Sequence, residues 1–179
     1  LAISKEENIK RFVHVSTSEV YGTGVKVPMN ESTPTFPHTV YGASKLAGES
    51  HARAYFKTYD FPSVVVRPFN SYGPRCHHEG DSGEVIPKFM LRVLAGQPML
   101  VFGNGHQTRD FVYVKDVVNT IHWAIILASK SVVCEVSNVL TGKSVTIDHL
   151  ANQMMDIVGV DVNKTYQDMC VHYGIAIDP

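Results

Sequence analysis

The sequence predicts an α/β fold built on a mostly parallel sheet, and three observations carry that reading. Two short apolar runs, Phe12–Ser16 and Ser63–Arg67, read as strands buried on both faces. Between them, from about Tyr41 to Tyr59, alanines with Leu46, Glu49 and Lys57 favour helix. The order strand, loop, helix, strand is that of parallel strands joined by crossover helices.

Taken in order, Leu1-Ala2-Ile3 followed by Lys5-Glu6-Glu7-Asn8 reads as the tail of a helix. Gly22 and Gly24 mark a turn, and Lys26–Pro37, with Pro28, Pro34 and Pro37, is an irregular loop. Pro68–Gly83 is a long connection rich in glycine, asparagine and histidine, of the kind that carries function more often than not. Val85–Leu94 is expected to be helical, and Leu100–Phe102 and Phe111–Val114 to be short strands. Asp116 is a candidate cap for a helix running to about Ala128, and Val133–Val136 reads as a strand. Thr146 is a candidate cap for an amphipathic helix with Leu150, Ala151, Met154 and Val158 on one face.

The length of 179 residues suits one domain, or the major part of a larger two-lobed one. A formal charge of −1 argues against a nucleic-acid partner. No apolar run is long enough to span a bilayer, and the first residues are too polar for a signal peptide. Cys76, Cys134 and Cys170 are odd in number and scattered, which favours a reducing, cytoplasmic setting over a disulfide framework. Neither end looks like a natural terminus, so the chain is expected to be a segment of a longer protein.

The chemistry concentrates in Val40-Tyr41-Gly42-Ala43-Ser44-Lys45 and in Ser16-Thr17-Ser18-Glu19-Val20-Tyr21-Gly22. Positions four apart share a helix face, so Tyr41 and Lys45 can face one cavity. A free phenol, with a pKa near ~10, is a poor base at neutral pH, and a nearby ammonium favours its phenolate. A phenol tuned this way can take a proton from an alcohol. Thr17 follows the end of a strand, where open α/β sheets place their sites, and its hydroxyl can hold the same substrate oxygen. Cys76-His77-His78-Glu79, with Asp81, has the residue types of a metal site but not the spacing, and no metal is expected.

These motifs, together with Val66-Arg67-Pro68-Phe69-Asn70-Ser71-Tyr72-Gly73-Pro74-Arg75 and Gly103-Asn104-Gly105-His106-Gln107-Thr108-Arg109-Asp110-Phe111-Val112-Tyr113-Val114-Lys115-Asp116-Val117, resemble the extended short-chain dehydrogenase/reductase family. The likeness is to its NAD-dependent nucleotide-sugar epimerases and dehydratases.

The resemblance implies a Rossmann-like, mostly parallel sheet plus a small substrate-binding lobe. Residues 1–67 and about 107–136 would form the first part, about 68–106 and 137–179 the second. It implies Tyr41 as the base for oxidation at C4, Lys45 on the nicotinamide ribose and Thr17 as assistant. Ser16 and Phe69 would stand beside the cofactor. Asn70, Arg75, Val85 and Arg109 would bind the nucleotide diphosphate sugar; an ion pair with Asp110 or Asp116 is the other reading of Arg109, and a structural one that of Arg67. The loop with His77 and His78 would lie beside the sugar, while Asn138 and Gly142 would form a turn.

In family members that remove water across C5 and C6, an aspartate–glutamate pair follows the threonine. Here the pair is Ser18-Glu19, which keeps the C5 base and puts serine at the acid position. The reading leans to a 4,6-dehydratase. A 4-epimerase, a UDP-glucuronate decarboxylase, and an inactive or partner-dependent remnant are the alternatives, and Glu19 as a structural carboxylate goes with the epimerase.

The resemblance also implies a Gly-rich loop for NAD, and the chain contains none, so the N-terminal βαβ units are expected to be absent and the isolated chain to bind NAD poorly. It would also expose a sheet edge and be marginally soluble. A homodimer through the Tyr41–Tyr59 helix is implied, with Ala47, Ala54 and Phe56 as contacts.

Overall fold

A computed structural model of the chain describes residues 1–7, 9–24, 26–80, 83–126 and 135–167. The chain divides into two units, Leu1–Ser71 with Phe111–Gly142, and Tyr72–Asp110 with Lys143–Pro179.

The first unit opens with the short helix α1 (Ala2–Glu6) and contains strands β1 (Phe12–Val15) and β2 (Ser63–Pro68) on either side of helix α2 (Val40–Tyr59). Strand β3 (Asn70–Tyr72) then leads the chain toward the second unit. The second unit holds α3 (Val85–Leu94) and β4 (Met99–Phe102), and β5 (Thr108–Tyr113) leads back to the first. Helix α4 (Val114–Ile126) and strand β6 (Val136–Val139) complete the first unit. Strand β7 (Ser144–Thr146), helix α5 (Ile147–Val158) and strand β8 (Lys164–Gln167) belong to the second.

In the first unit the sheet order is β1-β2-β6, all parallel, in register from Phe12↔Ser63 to Val15↔Val66 and from Val65↔Val136 to Pro68↔Val139. Strand alternation sends β2 side chains to opposite faces. Val64 and Val66 join Val112, Val117, Ala124 and Val139 in a core with Val13, Phe69 and Ile121 against it. Ser63 and Arg67 face the other way, onto α2, where Ser63 donates to the Ala52 carbonyl at 2.9 Å. The sheet is thus covered by α4 on one face and α2 on the other.

Helix α2 is capped by Thr39, whose hydroxyl accepts from the Gly42 amide, and it ends at Asp60 in the left-handed region (φ 52°). In the second unit, β4 and β8 pair in parallel, and Phe89, Val93, Met99, Val101, Leu150, Ala151 and Met154 are buried. Thr146 caps α5 by accepting from the His149 amide. Among the described residues, no helix is long and apolar enough to cross a membrane.

Several expectations are corrected. The strand expected at Val133–Val136 is Val136–Val139, with Val133 and Cys134 outside the described residues. Asn138 therefore lies in a strand, because its place is set by pairing with Arg67 and not by apolarity, and the turn falls at Gly142 (φ 76°). Strand β5 starts at Thr108 because Thr108–Asp110 pairs with β7, an unforeseen strand. It runs straight into α4, so Asp116 lies in the first turn instead of capping the helix. Strands β3 and β8 were also not anticipated. Asp81, Cys170 and 168–179 lie outside the described residues.

Candidate active site

The sheet positions the site by ending β1 at Val15 and turning the chain at once. Thr17 is extended (φ −158°, ψ 157°) and caps a single 3-10 turn, Ser18–Tyr21, by accepting from the Glu19 amide at 3.3 Å. Since the oxygen accepts that bond, the hydroxyl proton of Thr17 stays available to donate. The turn closes at Gly22 (φ 63°), where a Cβ would fall 2.0 Å from the Phe36 carbonyl oxygen, so only glycine fits. Ser18 is half-buried and Glu19 exposed.

The N-terminal end of α2 is pressed against this turn. A Cβ at Gly42 would lie 2.8 Å from the Glu19 carbonyl oxygen, so glycine permits the approach. Six residues on, Gly48 admits the ring of His14, whose Nε2 lies 3.1 Å from the Lys45 carbonyl. Tyr41, half exposed, thus stands over the end of β1. Lys45 donates from Nζ to the Val15 carbonyl at 3.0 Å, with Nζ 5.7 Å from the Tyr41 ring centroid. An ammonium has three protons, so two remain for a ligand. Glu19 accepts from the Thr39 hydroxyl at 2.7 Å through Oε2. Thr17, Glu19, Tyr41 and Lys45 are therefore brought together at the C-terminal end of a parallel strand.

Beneath them lies a buried polar network that sequence reasoning missed. Glu49 and Arg67 are both almost completely excluded from solvent, at 0% and 1% exposure. Arg67 donates from Nε and Nη2 to the two Glu49 oxygens at 2.8 and 2.6 Å, and from Nη1 to the Tyr21 phenol at 2.7 Å. Tyr21 in turn donates to Asn138 Oδ1 at 2.8 Å, and Ser16 donates to Glu49 Oε1 at 2.6 Å. Burial pushes the Glu49 carboxyl up, but hydrogen bonds from Arg67 and Ser16 and the charges of Arg67 and Arg53 outweigh it and hold it below the usual range. Burial opposes the Arg67 charge too; the bonds to Glu49 and Tyr21 overcome it and raise its pKa. The network joins Ser16 just after β1, the 3-10 turn, α2, β2 and β6. Its sequence signal was available: Tyr41, Lys45 and Glu49 form one i, i+4 stripe on α2.

The two residues expected beside the cofactor, Ser16 and Phe69, also have contacts within the protein. The Ser16 hydroxyl is committed to Glu49 because strand alternation places it on the α2 face. Phe69 packs against the valine core and the Tyr21 ring, centroids 6.4 Å apart. Asn70 is half-buried at the start of β3 in the first unit. Arg75 (φ 67°), Val85 and Arg109 belong to the second unit. Arg109 is exposed and donates to the Thr108 carbonyl at 2.9 Å. Arg67 has the structural role considered for it. Among the described residues no group of three or more His, Cys, Asp or Glu can hold a metal ion, and Cys76 is a free thiol. A depression lined by Lys5, Ile9, Tyr59 and Phe61 lies at the far end of α2, about 27 Å from Tyr41 by helical rise, and takes no part.

The chain is 30% identical over 173 residues to dTDP-D-glucose 4,6-dehydratase of Homo sapiens, covering 97% of the chain and 47% of the relative. It is 37% identical over 138 residues to dTDP-glucose 4,6-dehydratase of Neisseria gonorrhoeae, covering 76% and 38%. Among solved structures, a UDP-N-acetylglucosamine 4-epimerase from Methanobrevibacter ruminantium, in complex with UDP-N-acetylmuramic acid, superposes with a TM-score of 0.87 at 33% identity, over 93% of this chain and 53% of that one. A dTDP-glucose 4,6-dehydratase from Bacillus anthracis, in complex with NAD, gives 0.83 at 30%, over 93% and 52%. The matched part of the chain spans from 38% to 53% of the length of these relatives. Residues 1–139 match the family's sequence profile, the span that carries Thr17, Glu19, Tyr41 and Lys45, and on that match the chain belongs to the NAD dependent epimerase/dehydratase family.

Proposed function

We propose that the protein is an NAD-dependent nucleotide-sugar enzyme working through a 4-keto sugar, and specifically a 4,6-dehydratase. The observation that carries this is the convergence of Tyr41, Lys45, Thr17 and a tethered Glu19 at the end of β1. The identity to dehydratases supports the finer assignment.

The exposed Tyr41 phenol and the two uncommitted Lys45 protons fit the nicotinamide-ribose end of NAD; the chain carries no Gly-rich phosphate loop for the rest. The chemistry NAD would supply when bound is hydride acceptance in the oxidation at C4 and hydride return afterwards. Tyr41 removes the C4 hydroxyl proton, and Thr17 donates a hydrogen bond to the same oxygen. Once C4 is a ketone, the C5 proton is acidic and Glu19 takes it; the C5 electron pair forms the C5–C6 double bond as hydroxide leaves C6, and the proton held by Glu19 completes the water. Ser18 stands where relatives of this chemistry place an acid and is a poor donor by itself. Asn70, Arg75, Val85 and Arg109 are the proposed contacts for the nucleotide diphosphate, for which a guanidinium suits bidentate binding. Exposed Ala47 and Ala54 on α2 support a homodimer, and the free Cys76 a reducing, cytoplasmic setting.

A 4-epimerase is the second reading, favoured by the likeness to the Methanobrevibacter ruminantium structure and by Ser18. The test is to incubate the full-length protein with NAD and UDP-, dTDP-, GDP- and CDP-sugars in deuterated water and weigh the products. Loss of water with one deuterium gained supports the dehydratase. An isomer without deuterium means the epimerase. No product from any sugar overturns both and leaves an inactive remnant.

A further inference from the structure

A hydroxyl has one proton to give and two lone pairs. In Thr39 both functions are used. The oxygen accepts from the Gly42 amide at 2.9 Å, closing the first turn of α2, and the proton goes to Glu19 Oε2 at 2.7 Å. Glu19 makes no other side-chain hydrogen bond among the described residues, so Oε1 is uncommitted. The Gly42 amide that Thr39 holds belongs to the residue after Tyr41, and Gly42 itself abuts the Glu19 carbonyl. One side chain therefore ties both the carboxylate and the start of the helix bearing the phenol.

We infer that Thr39 is a positioning residue that couples the two acid–base groups: it fixes Glu19 through Oε2 relative to Tyr41 and leaves Oε1 to take the sugar proton. This rests on the dehydratase reading for the role of Oε1; the tether itself does not. A helix cap alone would be served equally by serine, asparagine or aspartate. The tether would not. Serine and asparagine can donate to Glu19, whereas aspartate cannot and puts a second negative charge beside it.

The experiment compares Thr39→Ser, Thr39→Asn and Thr39→Asp in the full-length protein with NAD and the sugar it turns over. Solvent deuterium uptake and single-turnover nicotinamide reduction are followed separately. Misplacing a reacting group costs about 100-fold, so Thr39→Asp is expected to slow deuterium uptake by about that factor. Nicotinamide reduction stays near wild type, and Thr39→Ser restores uptake. Equal losses in both steps, or equal behaviour of the aspartate and asparagine variants, overturn the proposal.

A second measurement needs no sugar. Thr39→Asp is melted with Glu19 present and with Glu19→Gln. The tether predicts a lower Tm only with Glu19 present, and additive effects overturn it. If the wild-type protein takes up no deuterium, the dehydratase reading fails with the role of Oε1, and this melting cycle alone decides the tether.

Discussion

The guanidinium of Arg67 grips both carboxylate oxygens of Glu49, at 2.8 and 2.6 Å, in the sealed space between α2 and the sheet. Desolvating two ions costs several kcal/mol each, so such a pair adds little net stability, but removing one partner strands the other. What the pair does supply is direction, because its remaining bonds hold Ser16 and Tyr21, which flank Thr17–Glu19.

Breaking the pair from one side is expected to be worse than replacing both members. Glu49→Gln should cost about 3–5 kcal/mol, and Glu49→Leu combined with Arg67→Met should recover much of it. Urea denaturation of the three proteins measures this; a double variant weaker than the single one would refute it.

The same pair makes stability sensitive to acid. Glu49 is held below its ordinary value of 4.5, so the unfolded chain binds more protons there and stability rises with pH through that window. Its contribution is complete above pH 4.5 and is lost as pH falls through the folded-state value. Melting temperature should fall more steeply below pH 4.5 for wild type than for Glu49→Gln.

Tyr21→Phe removes one oxygen and orphans two groups, Arg67 Nη1 and Asn138 Oδ1. Leaving buried polar groups unsatisfied costs about 1–3 kcal/mol. A shift in denaturation midpoint with unchanged slope is the expected signature.

The two glycines of α2 should respond differently to a methyl group. At Gly42 the obstacle is the Glu19 carbonyl oxygen, which is backbone; at Gly48 it is the ring of His14, a side chain. Gly42→Ala is expected to lower turnover about tenfold or more by pushing Tyr41 off the site. Gly48→Ala should cost less, since alanine returns about 1 kcal/mol of helix propensity. Steady-state kinetics and melting of both variants check this.

Tyr41→Phe deletes the proposed base while keeping the ring. General-base removal costs about 100- to 10,000-fold in kcat, with nucleotide-sugar binding unchanged. Calorimetry for binding and product formation for turnover separate the two.

Much of this was legible in the residues. Phe12–Val15 and Ser63–Pro68 are apolar enough to declare themselves strands, and α2 and α3 carry clear helical composition. Strands β3, β7 and β8 were not legible, because Asn70–Tyr72, Ser144–Thr146 and Lys164–Gln167 are short and polar and owe their extended form to partners distant in sequence. The proposed reacting groups were named from motifs; Thr39 and Glu49 were not, although Glu49 shares a helix stripe with Tyr41 and Lys45. Threonine before a helix reads as a cap, and glutamate inside one reads as a solvent-facing helix former. Only the packing of α2 on β1 and β2 shows what each holds.

The division of the chain has a consequence for how the protein can be cut. Residues 72–110 are inserted into the first unit, and the chain crosses again after Gly142. Neither unit is a contiguous stretch of polypeptide. A break at either end of the insertion leaves Phe12–Pro68 and the α4–β6 stretch as separate pieces that must find each other from solution. While the chain is whole, the insertion instead acts as a tether between them, and its entropic cost grows only slowly with length, by about 0.6 kcal/mol per doubling. The two units are thus bound to one another genetically: no single crossover in the gene can exchange one and keep the other intact.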